Sequence, residues 1–273
     1  MLLTHSDPVL DVESLADLMP VRLLDVRSAE DYLAARLPGA VRAPIEIWES
    51  AAKNPSTSLS NIAFWEAEIG KLGIDGKHPV LIYDDGRMTE SARVWFILQH
   101  FGVDAKIINA GPRELQVLLD GTKEQGAPPS VPAVVFQASG SGQVGLVERP
   151  DMKDALLSAQ VFDARTPPEF NGTDLKKNVR GGHLPAAVNL PHGVLLTETG
   201  NLKSAEALQE LLLGYGFRPG ARIVTHCDGG GRAALAALAA VRAGFQNVDA
   251  YYLSFSDWAK DESCPVVTSS KPE

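Results

Sequence analysis

Cysteine and positive charge are both scarce in this chain. Its 273 residues hold two cysteines, Cys227 and Cys264, too few for a disulfide framework or for a zinc site built on cysteine pairs. The six histidines are scattered without ligand spacing, so neither a metal nor a cofactor is expected. Lysine and arginine number 25 against 34 aspartates and glutamates, a net charge of -9, so the basic face that nucleic acid would need is missing. No apolar run approaches membrane-spanning length, and Met1 to Pro8 lack the basic start and apolar stretch of a secretory signal. The expectation is a cytoplasmic monomer that engages neither membrane nor nucleic acid. What remains is a globular composition, 45% hydrophobic and 22% charged, which supports a packed core. The length suits two ordinary domains and leaves one large domain open.

The segment from Arg222 to Val241 is the most chemically suggestive. A β-branched run, Ile223-Val224-Thr225-His226, is followed by Cys227-Asp228-Gly229-Gly230-Gly231-Arg232 and then by an alanine-rich run. This reads as strand, loop and helix, with the cysteine at the hinge. Three glycines let a loop turn its amides around an anion, and the start of a helix adds unpaired donors and a positive dipole end. Cys227 is therefore a candidate nucleophile; the competing reading is a small buried hydrophobe ahead of a glycine turn. His226, by strand alternation, is expected to pack in the core. Cys264, just before Pro265, is expected to be a packing or surface thiol.

An internal repeat organises the rest. Asp25 and Arg27 match Asp163 and Arg165 at an offset of 138, each pair closing a strand and opening a helix. Arg36 to Val41 matches His183 to Val188 at an offset of 147, so the second copy carries nine more residues (147 − 138), within the polar stretch Asn171 to Gly182. Val80 to Asp85 matches Ile223 to Asp228 at an offset of 143. Short apolar strands alternate with helical stretches in both copies, which predicts α/β architecture: two domains, each a small parallel sheet flanked by helices. The expected boundaries are 1–118, a linker over 119–152 and 153–273, with Val134 to Phe136 open to reading as an edge strand and the tail 268–273 frayed. At the position of Cys227 the first copy has Asp84. A solvent-facing loop would accommodate both residues, and on that reading the first copy lacks the nucleophile. Thr89 is expected to stand opposite Arg232. Trp48, Trp95 and Trp258 are expected in the cores.

Asp163 to Gly172, Gly181 to Asn189, Ile223 to Arg232 and Ser254 to Trp258 together resemble a rhodanese, and more narrowly the tandem thiosulfate sulfurtransferases in which an inactive N-terminal domain precedes an active one. The resemblance spans nearly the whole chain. It implies a ping-pong transfer of sulfur from thiosulfate, or a similar small anionic donor, through a Cys227 persulfide to cyanide or a thiol. It also implies substrate contacts from Arg165, Arg232 and the loop residues Asp228, Gly229, Gly230 and Gly231. Against this, Arg27 repeats the Asp-x-Arg pattern in the copy without cysteine, so a structural ion pair of Arg165 with Asp163 or Glu169 stands beside the substrate role. Asp228 at the mouth would repel a dianion unless it turns to solvent, which keeps 3-mercaptopyruvate open as donor. A non-enzymatic module that binds a partner or senses oxidants is the reading from another class. Four residues separate Cys227 from Arg232 (232 − 227 − 1), one fewer than a cysteine phosphatase loop uses to enclose phosphate, and no Gly-Lys-Ser/Thr follows the glycines as a P-loop requires.

Overall fold

The computed structural model describes residues 7–17, 20–140 and 142–268. Two compact units divide the chain: one takes in residues up to Gly142 with Glu198–Asn201, the other Gln143–Thr197 and everything from Leu202 onward. In the first unit β1 (Val9–Asp11) leads through a 3-10 turn to β2 (Arg22–Asp25), α1 (Ala29–Ala34), β3 (Val41–Arg42), α2 (Ile45–Lys53) and α3 (Ile62–Lys71). There follow β4 (Val80–Tyr83), α4 (Thr89–His100), β5 (Ala105–Asn109) and α5 (Pro112–Thr122). The second unit runs β6 (Gly145–Val147), α6 (Arg149–Ala155), β7 (Gln160–Asp163), α7 (Pro167–Phe170) and β8 (Val188–Asn189), then a 3-10 turn at His192–Leu195. It closes with α8 (Ala205–Gly214), β9 (Ile223–His226), α9 (Gly231–Arg242), β10 (Val248–Tyr251) and α10 (Ser254–Trp258).

Both sheets are five-stranded and parallel, in the orders β1-β5-β4-β2-β3 and β6-β10-β9-β7-β8, as the repeat predicts. Parallel strands are covered on both faces, and the central ones are accordingly buried throughout: all four residues of β4 and all four of β9, including the polar Thr225 and His226. In each sheet the chain winds outward one way from the first central strand and the other way from the second. The order therefore reverses between β2 and β4 and between β7 and β9, and a crevice at the carboxyl ends of such strands is where α/β sheets present their sites. The registers correspond: Asp25 lies opposite Tyr83, and Asp163 opposite His226.

The helix after each central strand is the innermost. Residues Ser91 to Gln99 of α4 and Ala233 to Ala240 of α9 are buried continuously. Alanine suits α9 because a side chain of one methyl lets the helix lie close to the sheet while keeping the highest helix propensity. Thr225, fully buried on β9, donates its hydroxyl to the Ala233 carbonyl and so ties the helix start to the strand. Trp48, Trp65, Trp95 and Trp258 are all core residues. Cys264 is buried in the second core with Val161, Tyr251 and Trp258, and burial pushes its thiol pKa up.

The stretch 119–152, expected as linker, contains the end of one helix and the start of the second unit. Helix α5 runs to Thr122, whereas β6 and α6 already belong to the second unit, β6 pairing with β10. Val134 to Phe136 form no strand. They run extended along the first unit, with the Val134 amide on the Gly70 carbonyl and Phe136 buried. Past Thr268 the tail lies outside the described residues. No helix among the described residues is long and apolar enough to cross a membrane.

Candidate active site

Cys227 follows β9 directly, and three glycines carry the chain from it into α9. Gly230 caps the helix at φ 106°, a conformation that a side chain disfavours, which explains why the loop needs glycine there. In that turn the Gly230 amide donates to Cys227 Sγ at 3.1 Å. Ser254, at the start of α10, also holds the cysteine. Its hydroxyl accepts the Cys227 amide at 3.1 Å and stands 3.7 Å from Sγ, and it donates to the Tyr251 carbonyl. Ser254 is completely buried and adopts φ 62°, a left-handed backbone that L side chains seldom take, held by Phe255 and Ser256 amides bonded to the Cys227 and Asp228 carbonyls. Along the sequence Ser254 is only part of the Ser254–Trp258 motif, and its backbone strain is a signal no composition carries.

The loop is not solvent-facing as expected. Cys227 is 1% exposed and Asp84 5%, because each turns its side chain inward onto the amides of its own loop. Asp84 accepts from the amides of Gly86 and Met88 through Oδ1, and from the amide and hydroxyl of Ser91 through Oδ2. Burial pushes the Asp84 carboxyl pKa up, opposed by these donors. The first copy therefore fills with its own carboxylate the cradle that the second copy offers to sulfur.

The two cradles also differ in length. Three residues separate Asp84 from the helix cap Met88, but two separate Cys227 from Gly230. Helix caps and the glycines that end the helices, Gly102 and Gly244, align at an offset of 142 rather than 143. Glu90, not Thr89, is then the counterpart of Arg232.

Arg165 lies in the ion pair with Asp163 that the repeat sets beside a substrate role. Its guanidinium is 2% exposed, donates from Nε and Nη2 to Asp163, donates again from Nη2 to the Gly182 carbonyl and lies 4.0 Å from the Phe255 ring. Arg27 does the same with Asp25 and the Ala35 carbonyl. An Asp at a strand end and an Arg two residues on thus fold back on each other in both copies, independently of the cysteine. His226 is the neutral core residue expected: burial pulls its pKa down to about 4, although Asp163 Oδ2 lies 3.4 Å from Nε2.

Arg232, in the first turn of α9, does reach the site, and it reaches it already paired. Nη1 and Nη2 each lie 2.7 Å from the Glu169 carboxylate, a two-bond fork. Glu169 is 1% exposed and also accepts from the amide and hydroxyl of Thr166. Burial opposes its charge, but Arg232 and Thr166 outweigh burial and hold its pKa at about 2. For Arg232 too, burial works against the charge and Glu169 and the nearby Cys227 raise the pKa. Thr166-x-x-Glu169 has the spacing of a helix capping box, the sequence signal from which a bent-back Glu169 was recoverable. Asp228, half-buried, takes a 2.6 Å hydrogen bond from Asn178 in the nine-residue insertion. His192, after β8, senses both members of the pair; burial first and then Arg232 lower its pKa, and its Nδ1 has no hydrogen-bond partner. No group of His, Cys, Asp and Glu among the described residues could hold a metal ion.

A buried sulfur held by an amide at a helix start can carry negative charge, and the neighbouring pair supplies one arginine whose charge is largely balanced. Comparison with known proteins bears on what such a centre does. A family model for the rhodanese-like domain matches residues 11–121 and again 147–261. The chain is 28% identical over 249 residues to the 3-mercaptopyruvate sulfurtransferase of Escherichia coli strain K12, covering 89% of this chain and 86% of that protein. It is 30% identical over 275 residues to a putative thiosulfate sulfurtransferase, SseB, of Mycobacterium tuberculosis strain H37Rv, covering 90% of each. The crystal structure of SseA from Escherichia coli, described as a 3-mercaptopyruvate sulfotransferase, matches with a TM-score of 0.76 and 26% identity over 92% of this chain and all of that one.

Proposed function

The chain belongs to the rhodanese-like domain family, with one copy of the domain in each half, and from that premise we propose that it is a sulfurtransferase in which Cys227 alone carries sulfur. The observation that carries the reading is Cys227 Sγ seated on the Gly230 amide at the start of α9. Backbone donors and a helix N-terminus favour an anionic sulfur over a neutral one, both before and after it accepts a second sulfur. With thiosulfate, the Cys227 thiolate attacks the outer sulfur; a new S–S bond forms, the donor's S–S bond breaks and its electron pair leaves on sulfite. The persulfide then yields its outer sulfur to cyanide or to a thiolate, and the electron pair of the broken S–S bond returns to Cys227. No general base is required, since nucleophile and leaving group are both sulfur anions. Cys227 is the catalytic residue, with Arg232, Asp228, Gly229, Gly230 and Gly231 forming the surface that meets the reactants.

The Glu169–Arg232 pair favours a second donor. A carboxylate already on the arginine leaves less attraction for a dianion, so the singly charged 3-mercaptopyruvate is the better match. In that case the C–S bond breaks and the proton of the donor thiol ends on the carbon that becomes the methyl of pyruvate. Weighing the intact protein after exposure to each donor tests the proposal. A gain of one sulfur atom is expected, removed by cyanide and absent from Cys227→Ala. An unchanged mass with both donors would leave a partner-binding or oxidant-sensing module as the better account.

A further inference from the structure

Charges around Cys227 do not sum to what an anionic reactant would want. Arg232 is bound two-fold by Glu169, and Asp228 adds a second carboxylate on the residue after the cysteine. Lys176, on the insertion, is held at 3.0 Å by Asp174 and contributes a balanced pair. Among Glu169, Asp228 and Asp174 against Arg232 and Lys176 the sum is one negative charge; Asp228 is the carboxylate of this group not paired to a cation, and its Oδ1 accepts from Asn178. The Glu169 carboxylate is buried and doubly anchored, so this balance is built into the fold rather than set by mobile surface groups.

Resting on the sulfurtransferase reading, we propose that Glu169 sets the charge class of the sulfur acceptor: by neutralising Arg232 it leaves Asp228 to select a thiol that carries an ammonium group, an aminothiol, over an anionic thiol. Glu169 is a positioning residue, acting through Arg232. In the step itself the acceptor thiolate attacks the outer sulfur of the Cys227 persulfide. A new S–S bond forms on the acceptor, the S–S bond to Cys227 breaks, its electron pair returns to Cys227, and the outer sulfur leaves on the product as a persulfide anion. The ammonium takes no part in the electron flow. It lowers the energy of approach, because it faces one net negative charge a few ångströms away across a partly hydrated mouth.

The test uses the full chain loaded with sulfur at Cys227, so that loading reports the underlying reading and unloading reports the inference. Discharge is followed with cysteamine, 2-mercaptoethanol and 3-mercaptopropionate, a cationic, neutral and anionic series of similar size. The same three thiols are used on every variant, so their intrinsic nucleophilicities cancel when the ratio of cysteamine to 3-mercaptopropionate rates is compared between variant and parent. Glu169→Gln should lower that ratio about tenfold at low salt, as expected for removing a unit charge near the reacting centre. Glu169→Asp should restore most of it, and Asp228→Asn should lower it in the same direction. A role for Glu169 in folding alone would depress all three rates and leave the ratio where it was. An unchanged ratio in both Glu169→Gln and Asp228→Asn, with Cys227 still loading, would overturn the inference. Should Glu169→Gln fail to fold, Asp228→Asn carries the test by itself.

Discussion

At the scale of single residues, two arginines that look alike in sequence part company. Arg165 and Arg27 each stand two residues after an aspartate at a strand end, and each folds back onto it in a buried ion pair. The repeat of that pattern in a copy without cysteine was the clue that the pair belongs to the fold. Arg232 has no such internal control, and its partner Glu169 lies 63 residues earlier, beyond the reach of any local pattern. The pairing changes what a substitution at Arg232 does. From sequence, Arg232→Ala is expected to raise the donor KM by more than it alters folding. Glu169 would in fact be left buried without its cation, a loss of about 3 kcal/mol for a broken buried pair. We predict a clear fall in the melting temperature of Arg232→Ala. The double variant Glu169→Gln with Arg232→Gln should recover much of that stability without recovering the donor KM. A single variant that melts like the parent would show the pair to be energetically idle.

At the scale of elements, the strand–loop–helix unit from β9 to α9 follows directly from local physics. A β-branched run extends, glycines turn, alanines wind, and the cysteine falls where the turn brings an amide back to it. The insertion between α7 and β8 is different. Its composition marks it as a polar surface loop, yet Arg180 within it donates to the carbonyls of Trp258, Ala259, Asp261 and Cys264. One planar guanidinium thus ties the insertion to the end of α10, and its neighbour Asn178 reaches Asp228. Arg180→Ala should cost about 2–4 kcal/mol, since several carbonyls lose a charged donor at once. Lysine should not rescue it, because a single ammonium cannot span four acceptors as a planar fork does. Limited proteolysis checks this: faster cleavage near residues 171–182 is expected in both variants, and unchanged protection would show that the bonds contribute little.

At the scale of the molecule, the two copies share strand order, register and the Asp-x-Arg turn, and differ at the loop proposed to carry the chemistry. The first copy places a carboxylate where the second places sulfur, its loop is one residue longer before the helix, and Glu90 stands where the second copy has Arg232. The asymmetry therefore lies in the whole loop rather than in one residue. Asp84→Cys in a Cys227→Ala background should gain no sulfur from thiosulfate or 3-mercaptopyruvate when the intact protein is weighed. It should also melt lower, as the amides of Gly86, Met88 and Ser91 lose a buried acceptor, at about 1–3 kcal/mol for an unmet donor. A persulfide on that variant would mean that the nucleophile alone separates the copies.

The α/β class, the tandem arrangement and the position of Cys227 are legible along the chain, because each is written in local periodicity or in a repeat that spacing reveals. Strand alternation also placed His226 in the core. It took the folded chain to turn Asp84 and Cys227 inward, to pair Arg165 with Asp163, to bring Arg232 to the loop with Glu169 attached, and to close Ser254 over the sulfur. These are contacts between the carboxyl ends of different strands and the turns that follow them. The chain sets such ends side by side only after the sheet has ordered its strands, and the partners of a buried charge are then chosen by proximity in space, which spacing along the sequence does not record. For the loop at Cys227 the consequence is a site whose proposed nucleophile is local information and whose charge is not.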